Sequence, residues 1–339
     1  MPTILLEKPG QFVLRKTPDP GELNPNEVLV QPSRIGICGT DLHAFEGSQP
    51  FFEYPRILGH ELGVKVVATG TNVNTIQPGN QCAVVPYMSC GNCIPCEMGK
   101  TNCCSNLDVL GVHIDGGMQD YLILPEEKLL RSDILTLEQL ALVETLGIGA
   151  HAVDRAVLKK DETILLIGAG PIGLSILTFA LLAGVRVILL EINPDRINFC
   201  KKHYDLFEII NDNHQVESKL HQVLNGNFPT AVFDATGHYE SMIKAHNYVS
   251  NGGRLIYVGI TGSKISFDGP DFHRREMTLL SSRNSRTVDL QKVINHIEAG
   301  EINTSSWITH TATPSKMITD FPSWLSPNAG VVKAMIELT

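Results

Sequence analysis

Eight cysteines stand at positions 38, 82, 90, 93, 96, 103, 104 and 200, and five of them fall between 90 and 104. In Cys90-Gly-Asn-Cys93-Ile-Pro-Cys96 each cysteine follows the last by three residues, and Cys103 and Cys104 come seven and eight residues later. Four thiolates from one loop can close a tetrahedron around Zn²⁺ with no open position, the pattern of a structural site. The spacing does not choose between Cys103 and Cys104. The competing reading, a group of buried free thiols, fits poorly with so polar a loop. A second set of ligand types is dispersed: Cys38 within Gly36-Ile-Cys-Gly-Thr-Asp-Leu-His43, then Gly59-His60-Glu61, then Glu144. A thiolate, an imidazole and carboxylates, with fewer than four fixed ligands, suit a catalytic zinc. Taken singly, Cys38 would more often be a small buried hydrophobe and His60 a hydrogen-bonded core residue. Spacing alone therefore leaves this second site open.

Residues 168–173 read Gly-Ala-Gly-Pro-Ile-Gly, after the apolar run Ile164-Leu-Leu-Ile and before an apolar helix. In such a strand–turn–helix unit the first glycine allows the tight turn. The second lets the backbone approach a pyrophosphate, and the third packs helix on strand. The helix N-terminus offers free N–H groups to the phosphates. An acid, Glu191, follows Gly173 by 18 residues at the end of the next strand-like run. An acid there accepts ribose hydroxyls and repels a 2′-phosphate, which predicts NAD rather than NADP. The turns Asp234-Ala-Thr236-Gly and Tyr257-Val258-Gly259 end two later runs and are expected to line the cofactor, since ligands sit at the carboxyl ends of such strands.

These residues need elements to hold them. A chain of 339 residues suggests two domains. With 43% hydrophobic and 19% charged residues it is an ordinary globular chain rather than a disordered one. Twenty-seven basic against 36 acidic residues give −9, which argues against nucleic acid and anionic lipid as partners. The N-terminal Met-Pro-Thr-Ile-Leu-Leu-Glu-Lys lacks a secretory pattern, so a cytoplasmic protein is expected. The uncharged stretch from Ile164 to Val185 has 22 residues, but its early glycines make it a buried strand, turn and helix rather than a membrane span. Up to about residue 147, short β-like runs separated by turns predict a mostly β domain. From Glu162, strands at 163–167, 185–191, 208–210, 231–234, 255–258 and 278–281 alternate with helices near 172–183, 194–203, 214–225, 239–250 and 287–299. This alternation predicts an α/β fold with a parallel sheet covered on both faces. After Gly300 the pattern fades, except for a final run, Val331 to Leu338, able to return as a strand to the first domain.

The order Cys-Gly-Thr-Asp-Leu-His at 38–43, Gly-His-Glu at 59–61, the cysteine loop and Gly-Ala-Gly-Pro-Ile-Gly followed by an acid resembles the zinc-dependent medium-chain dehydrogenase/reductase superfamily. Glu144-Thr-Leu-Gly-Ile-Gly-Ala-His-Ala152 is similar to a segment of its sorbitol and threonine dehydrogenase branch, with Thr145 in place of the usual proline. The resemblance implies a GroES-like β domain from residues 1–150 and 290–339 around a doubly wound Rossmann domain of 151–289. It implies that Cys38 and His60 bind a catalytic zinc, with Glu61 ligating or close by. Glu144 would lie on or beside the metal, and Asp41 would orient an imidazole. Cys90, Cys93, Cys96 and Cys104 would hold a structural zinc, leaving Cys103 out. Thr40 would take the substrate proton and pass it, by way of the cofactor ribose, to His43. Gly168, Gly170, Pro171, Ile172, Gly173, Glu191, Arg196, Thr236, Val258 and Gly259 would bind NAD.

Several stretches, among them Gly47 to Arg56, Gly111 to Gly117 and Ser282-Arg-Asn284, are similar to bacterial sugar-acid dehydrogenases of the L-galactonate 5-dehydrogenase type. Thr311 departs from the arginine of many relatives. The implied substrate is a C6 sugar acid oxidised at a secondary hydroxyl. His113, His273, Arg274 and Arg283 are candidates for its polar groups, and Phe51 and Phe52 for an apolar wall. A polyol, threonine or another alcohol is the alternative substrate, and a non-catalytic nucleotide-binding protein the alternative class. A homo-oligomer, dimer or tetramer, is also implied.

Overall fold

The structure, a computed structural model, describes residues 3–17, 19–49, 52–326 and 329–338. The chain divides into two compact units, Met1–Thr145 with Ser285–Thr339, and Leu146–Asn284. Each division falls five residues before the boundary expected from sequence, at 145 rather than 150 and at 284 rather than 289. The first falls inside a 20-residue helix, Leu137–Ala156, in a stretch whose texture had suggested only the end of a β domain.

In the unit Leu146–Asn284 the apolar runs form one parallel sheet. Its strands lie side by side in the order Glu208–Ile210, Arg186–Leu190, Thr163–Ile167, Ala231–Asp234, Arg254–Tyr257 and Thr278–Ser281. The first strand in sequence is central, and the chain winds outward to one edge before returning to build the other, which is the doubly wound order. Thr163–Ile167 is buried at every residue, as a parallel strand covered on both faces must be. The 22-residue uncharged stretch resolves into this strand, a glycine turn and the helix Pro171–Leu182. Among the described residues, no helix is long and apolar enough to cross a membrane. The helix expected at 239–250 is shorter, Tyr239–Ala245 followed by a 3₁₀ turn, and a helix at Gly269–Arg274 was not foreseen.

In the other unit the main sheet runs Leu129–Arg131, Gln81–Val84, Glu61–Thr69, Glu27–Gly36, Lys333–Glu337, Ile308–Ala312. The C-terminal run does return, pairing antiparallel with Glu27–Gly36, so Met335 stands opposite Gly36. On the other side Gly36 stands opposite Glu61. Ile4, Leu6, Ile35, Leu58, Leu62, Met118, Phe321 and Ile336 are among its fully buried core. Between the last two strands lies a helix, Pro314–Trp324, where the sequence pattern had faded. Its buried residues Met317, Phe321 and Trp324 follow helical spacing. Pro322, a residue that normally breaks a helix interior, masks that periodicity.

Candidate metal centres and dinucleotide cavity

The cysteine loop brings the thiols of Cys90, Cys93, Cys96 and Cys104 within 4.8 Å of one another. Cys103 is exposed and lies outside the group. Three sulfur pairs are separated by 3.4 Å (Cys93–Cys96), 3.4 Å (Cys90–Cys104) and 3.9 Å (Cys93–Cys104). A tetrahedron with Zn–S bonds of about 2.3 Å has edges near 3.8 Å, so these thiols suit a zinc ion. Backbone N–H groups support negative sulfur. Cys90 and Asn106 donate to Cys104 Sγ at 3.2 and 3.4 Å, and Ser105 donates to Cys93 Sγ at 3.5 Å. These bonds hold Cys93 down to about 6 and Cys104 below the ordinary thiol value.

The second cluster is assembled by pairing between distant segments. Cys38 precedes the helix Gly39–Glu46 as its N-cap, and His60 and Glu61 lie at the start of the strand Glu61–Thr69. Cys38, His60 and Glu61 place ligand atoms within 4.8 Å of one another. Glu144, on the helix Leu137–Ala156, is buried nearby, close enough for its charge to act on His60, but is not part of that group of three. Asp41 is fully buried. Its Oδ2 accepts the Cys38 N–H at 2.9 Å, and its Oδ1 faces His60 Nδ1 at 3.9 Å. Both facing atoms lack a hydrogen-bond partner. Asp41 thus fixes the turn that carries Cys38 while directing its other oxygen at the imidazole, the arrangement that orients a metal-bound histidine.

Two residues of this cluster were missed from sequence. Lys333, only 1% exposed, donates to Glu61 Oε1 at 2.7 Å, to Oε2 at 2.8 Å and to the Ile37 carbonyl at 3.2 Å, which uses all three of its N–H groups. Burial opposes charge on both partners, yet their attraction prevails: Glu61 is held below and Lys333 above the ordinary value. A Cβ on Gly36 would stand 2.0 Å from Glu61 Oε2, so a glycine opposite Glu61 is what makes room for this pair. The signal was a lysine at the head of an apolar terminal strand. The other missed residue is Tyr87, whose buried hydroxyl donates to Glu144 Oε1. Burial raises the carboxyl of Glu144, and burial together with Glu144's charge raises the phenol well above its ordinary value, so Tyr87 stays a donor.

The charges of this cluster fit a divalent cation. Three buried carboxyl groups, Asp41, Glu61 and Glu144, and the thiol of Cys38 gather here with one ammonium, that of Lys333. A donor set rich in carboxyl oxygen, with a sulfur and an imidazole beside it, suits a divalent cation, whose charge would offset buried carboxylates. His60 responds to the same field. Burial pulls its pKa down, but Cys38 and Asp41 push it well above the ordinary value.

In the other unit, Gly168, Gly170, Glu191, Arg196 and Thr236 line a cavity of about 470 Å³ at the carboxyl ends of the central strands. Gly168 turns at φ +92°, and a Cβ on Gly173 would stand 1.9 Å from the Gly168 carbonyl. A Cβ on Gly170 would meet nothing nearer than Arg196 at 3.8 Å, so this glycine leaves space beside the uncapped helix N-terminus, where a phosphate fits. Glu191 is buried. Its Oε2 accepts from Ala169 N–H at 2.7 Å, and its Oε1 from Ile192 and Asn193 N–H at 2.7 and 2.8 Å. Three of a carboxylate's roughly four acceptor positions are thus taken, so accepting both ribose hydroxyls requires one N–H to give way. Arg196 Nη1 lies 3.9 Å from Glu191. Asp234, at the head of a turn expected to line the cofactor, organises that turn by accepting from Thr236 N–H and Oγ1 and from Ser241 Oγ at 2.9, 2.6 and 2.6 Å. Pro171, Ile172, Gly173, Val258 and Gly259 are not among the cavity's lining residues. Val258 and Gly259 instead donate their N–H groups to the Asp234 carbonyl, both at 3.0 Å.

Residues 24–134 match the alcohol dehydrogenase GroES-like domain family, and residues 171–299 match the zinc-binding dehydrogenase family. The chain is 34% identical to L-galactonate-5-dehydrogenase of Escherichia coli (strain K12) over 99% of its own length and 98% of that protein. It belongs to the zinc-type alcohol dehydrogenase superfamily. Among solved structures, an alcohol dehydrogenase (rspB) of E. coli CFT073 in complex with NADH shares 29% identity, with a TM-score of 0.91 over 100% of this chain and 99% of that one. A zinc-binding dehydrogenase of Sinorhizobium meliloti 1021 bound to NADP shares 26% identity, with a TM-score of 0.88 over 99% of each chain.

Within this zinc-type dehydrogenase, Thr40 and His43 stand three residues apart on one helix, Thr40 partly buried and His43 exposed. His113 Nδ1 accepts the Val109 N–H at 3.0 Å, which leaves its other ring nitrogen as the donor. Phe52 packs on Tyr54 with ring centroids 4.8 Å apart, and Phe51 lies outside the described residues. His273, Arg274 and Arg283 are exposed and belong to the other unit, where Arg274 pairs with Asp271 at 2.7 Å.

Proposed function

We propose that the chain is a zinc-dependent, NAD-linked dehydrogenase acting on a secondary hydroxyl of a sugar acid of the L-galactonate class. The observation that carries this reading is its end-to-end likeness, at 34% identity, to an enzyme named for that reaction. Cys38 and His60 would hold the catalytic zinc, with Glu61 and Glu144 as the neighbouring carboxylates. Cys90, Cys93, Cys96 and Cys104 would hold the structural one. Bound at the first site, zinc would polarise the substrate hydroxyl and lower its pKa. Thr40 would receive the released proton at Oγ1, and exposed His43 would deliver it to solvent. Glu191 would exclude a 2′-phosphate and so favour NAD. The related structures hold NADH in one case and NADP in the other, so the fold does not decide the cofactor and Glu191 must.

The test is a substrate panel with each cofactor, followed at the absorbance band of reduced nicotinamide. L-Galactonate or an epimer should turn over with NAD. Turnover of hexitols or threonine alone would leave only the superfamily standing.

A further inference from the structure

Three buried carboxylates surround the Cys38–His60 position, and each is tied to a different partner. Asp41 accepts the Cys38 backbone N–H. Glu61 is gripped through both oxygens by the Lys333 ammonium. Glu144 accepts from the phenol of Tyr87. Of the two glutamates, Glu61 is held by a charged donor and Glu144 by a neutral one, and a neutral donor holds a carboxylate less firmly than a paired ammonium. Glu144 is therefore the glutamate that leaves its place more easily.

We propose that Tyr87 is a positioning residue that parks Glu144 clear of the metal position beside Cys38 and His60, keeping that position open for substrate. The assignment rests on reading Cys38 and His60 as metal ligands. The geometry of the pair supports it. The phenol is held by its backbone, since Tyr87 lies on a strand paired with Asp108–Val109, where it stands opposite Val109. The hydroxyl and the carboxyl it binds belong to buried residues, so this hydrogen bond fixes where the Glu144 side chain lies.

The experiment uses the full-length protein with cobalt in place of zinc. Its d–d spectrum is recorded without substrate for wild type, Tyr87→Phe, Glu144→Gln and the double variant. The cysteine loop contributes the same bands to each and cancels in the differences. Tyr87→Phe removes one oxygen atom and frees Glu144 to ligate, so its bands should shift from those of wild type. In the Glu144→Gln background the same substitution should shift nothing. With zinc, Tyr87→Phe should raise KM for the alcohol about tenfold or more while KM for the dinucleotide stays put. A Tyr87→Phe spectrum identical to wild type overturns the assignment. So does a shift that persists undiminished in the Glu144→Gln background, since that would mark a merely structural role. Wild-type protein that binds one cobalt instead of two overturns the metal reading itself and this assignment with it.

Discussion

The two candidate metal-ligand clusters of this chain are built in opposite ways. The cysteine loop draws four thiols from fifteen consecutive residues, and most of its members are only partly buried. The other cluster draws on residues 38, 60, 61, 87, 144 and 333 and is mostly buried. In the loop, ligand geometry follows from local backbone, with N–H groups of the same loop supporting the sulfurs. In the deep cluster, every ligand arrives through long-range pairing, and each anion needs its own partner. A local site can hold its shape by closing on a metal. A dispersed one must be pre-built by the fold, and a position on its metal can then stay free for chemistry.

The largest expected effect separates these roles. Cys38→Ser should leave a folded protein whose kcat/KM falls by roughly 10³-fold or more, since a Lewis acid contributes several kcal/mol to such a reaction. Cys96→Ser should do the reverse. Because a closed site contributes to folding, it should lower Tm by about 10 °C while the folded fraction still turns over. Paired assays of turnover and thermal melting decide the matter, and normal activity in Cys38→Ser would sink the catalytic assignment.

Next comes the partner of the deep cluster. Lys333→Met leaves Glu61 charged and buried without its cation, which should destabilise the protein by about 3–5 kcal/mol. Lys333→Met combined with Glu61→Gln should recover most of that loss in denaturant titrations. No recovery would mean that Lys333 acts through packing alone.

The same contrast governs what was legible in the sequence. The cysteine loop could be read almost completely, because its geometry is local; spacing left open only the choice between Cys103 and Cys104, and the family resemblance implied Cys104. The glycine turn and Glu191 were legible for a similar reason, being one strand–turn–helix unit and the strand after it. Tyr87 and Lys333 were not, because their roles depend on which strands become neighbours. A lysine at the head of Lys333–Glu337 gains meaning only when that strand pairs with Glu27–Gly36, which in turn pairs with Glu61–Thr69. The helix Leu137–Ala156 hid behind the motif at its centre, and Pro314–Trp324 behind its internal proline.

A smaller effect tests the dinucleotide cavity, whose acid accepts three backbone N–H groups at 2.7–2.8 Å and meets its charged neighbour, Arg196, only at 3.9 Å. With Glu191 in place, catalytic efficiency with NAD should exceed that with NADP by roughly 10²-fold, because a like charge in a tight pocket costs several kcal/mol. Glu191→Ala should narrow the gap, leaving Arg196 free to meet a 2′-phosphate. A wild-type preference for NADP would show that Glu191 is committed to its own turn.

The smallest effect comes from an ion pair in the dinucleotide unit, and it measures how far burial makes the Lys333–Glu61 pair exceptional. Arg254 Nη2 binds Glu162 at 3.0 and 2.8 Å, with side chains 20% and 14% exposed. Burial raises the Glu162 carboxyl, but Arg254 and the Lys159 N–H outweigh it, so the folded-state pKa lies below the ordinary value. A lowered carboxyl pKa contributes stability above the unfolded-state value of about 4.3, and that contribution disappears as pH falls through the folded-state value. Arg254→Met should therefore cost about 1 kcal/mol at pH 7, or roughly 2–4 °C in Tm. The gap between wild type and variant should hold down to about pH 5 and close below about pH 4. Other acid-labile groups, the metal ligands included, are common to both proteins and drop out of the difference. A gap that stays constant through that range would assign the loss to packing of the arginine stem. A gap at pH 7 as large as that of Lys333→Met would erase the distinction between a pair at the starts of two sheet strands and one sealed within the candidate metal cluster.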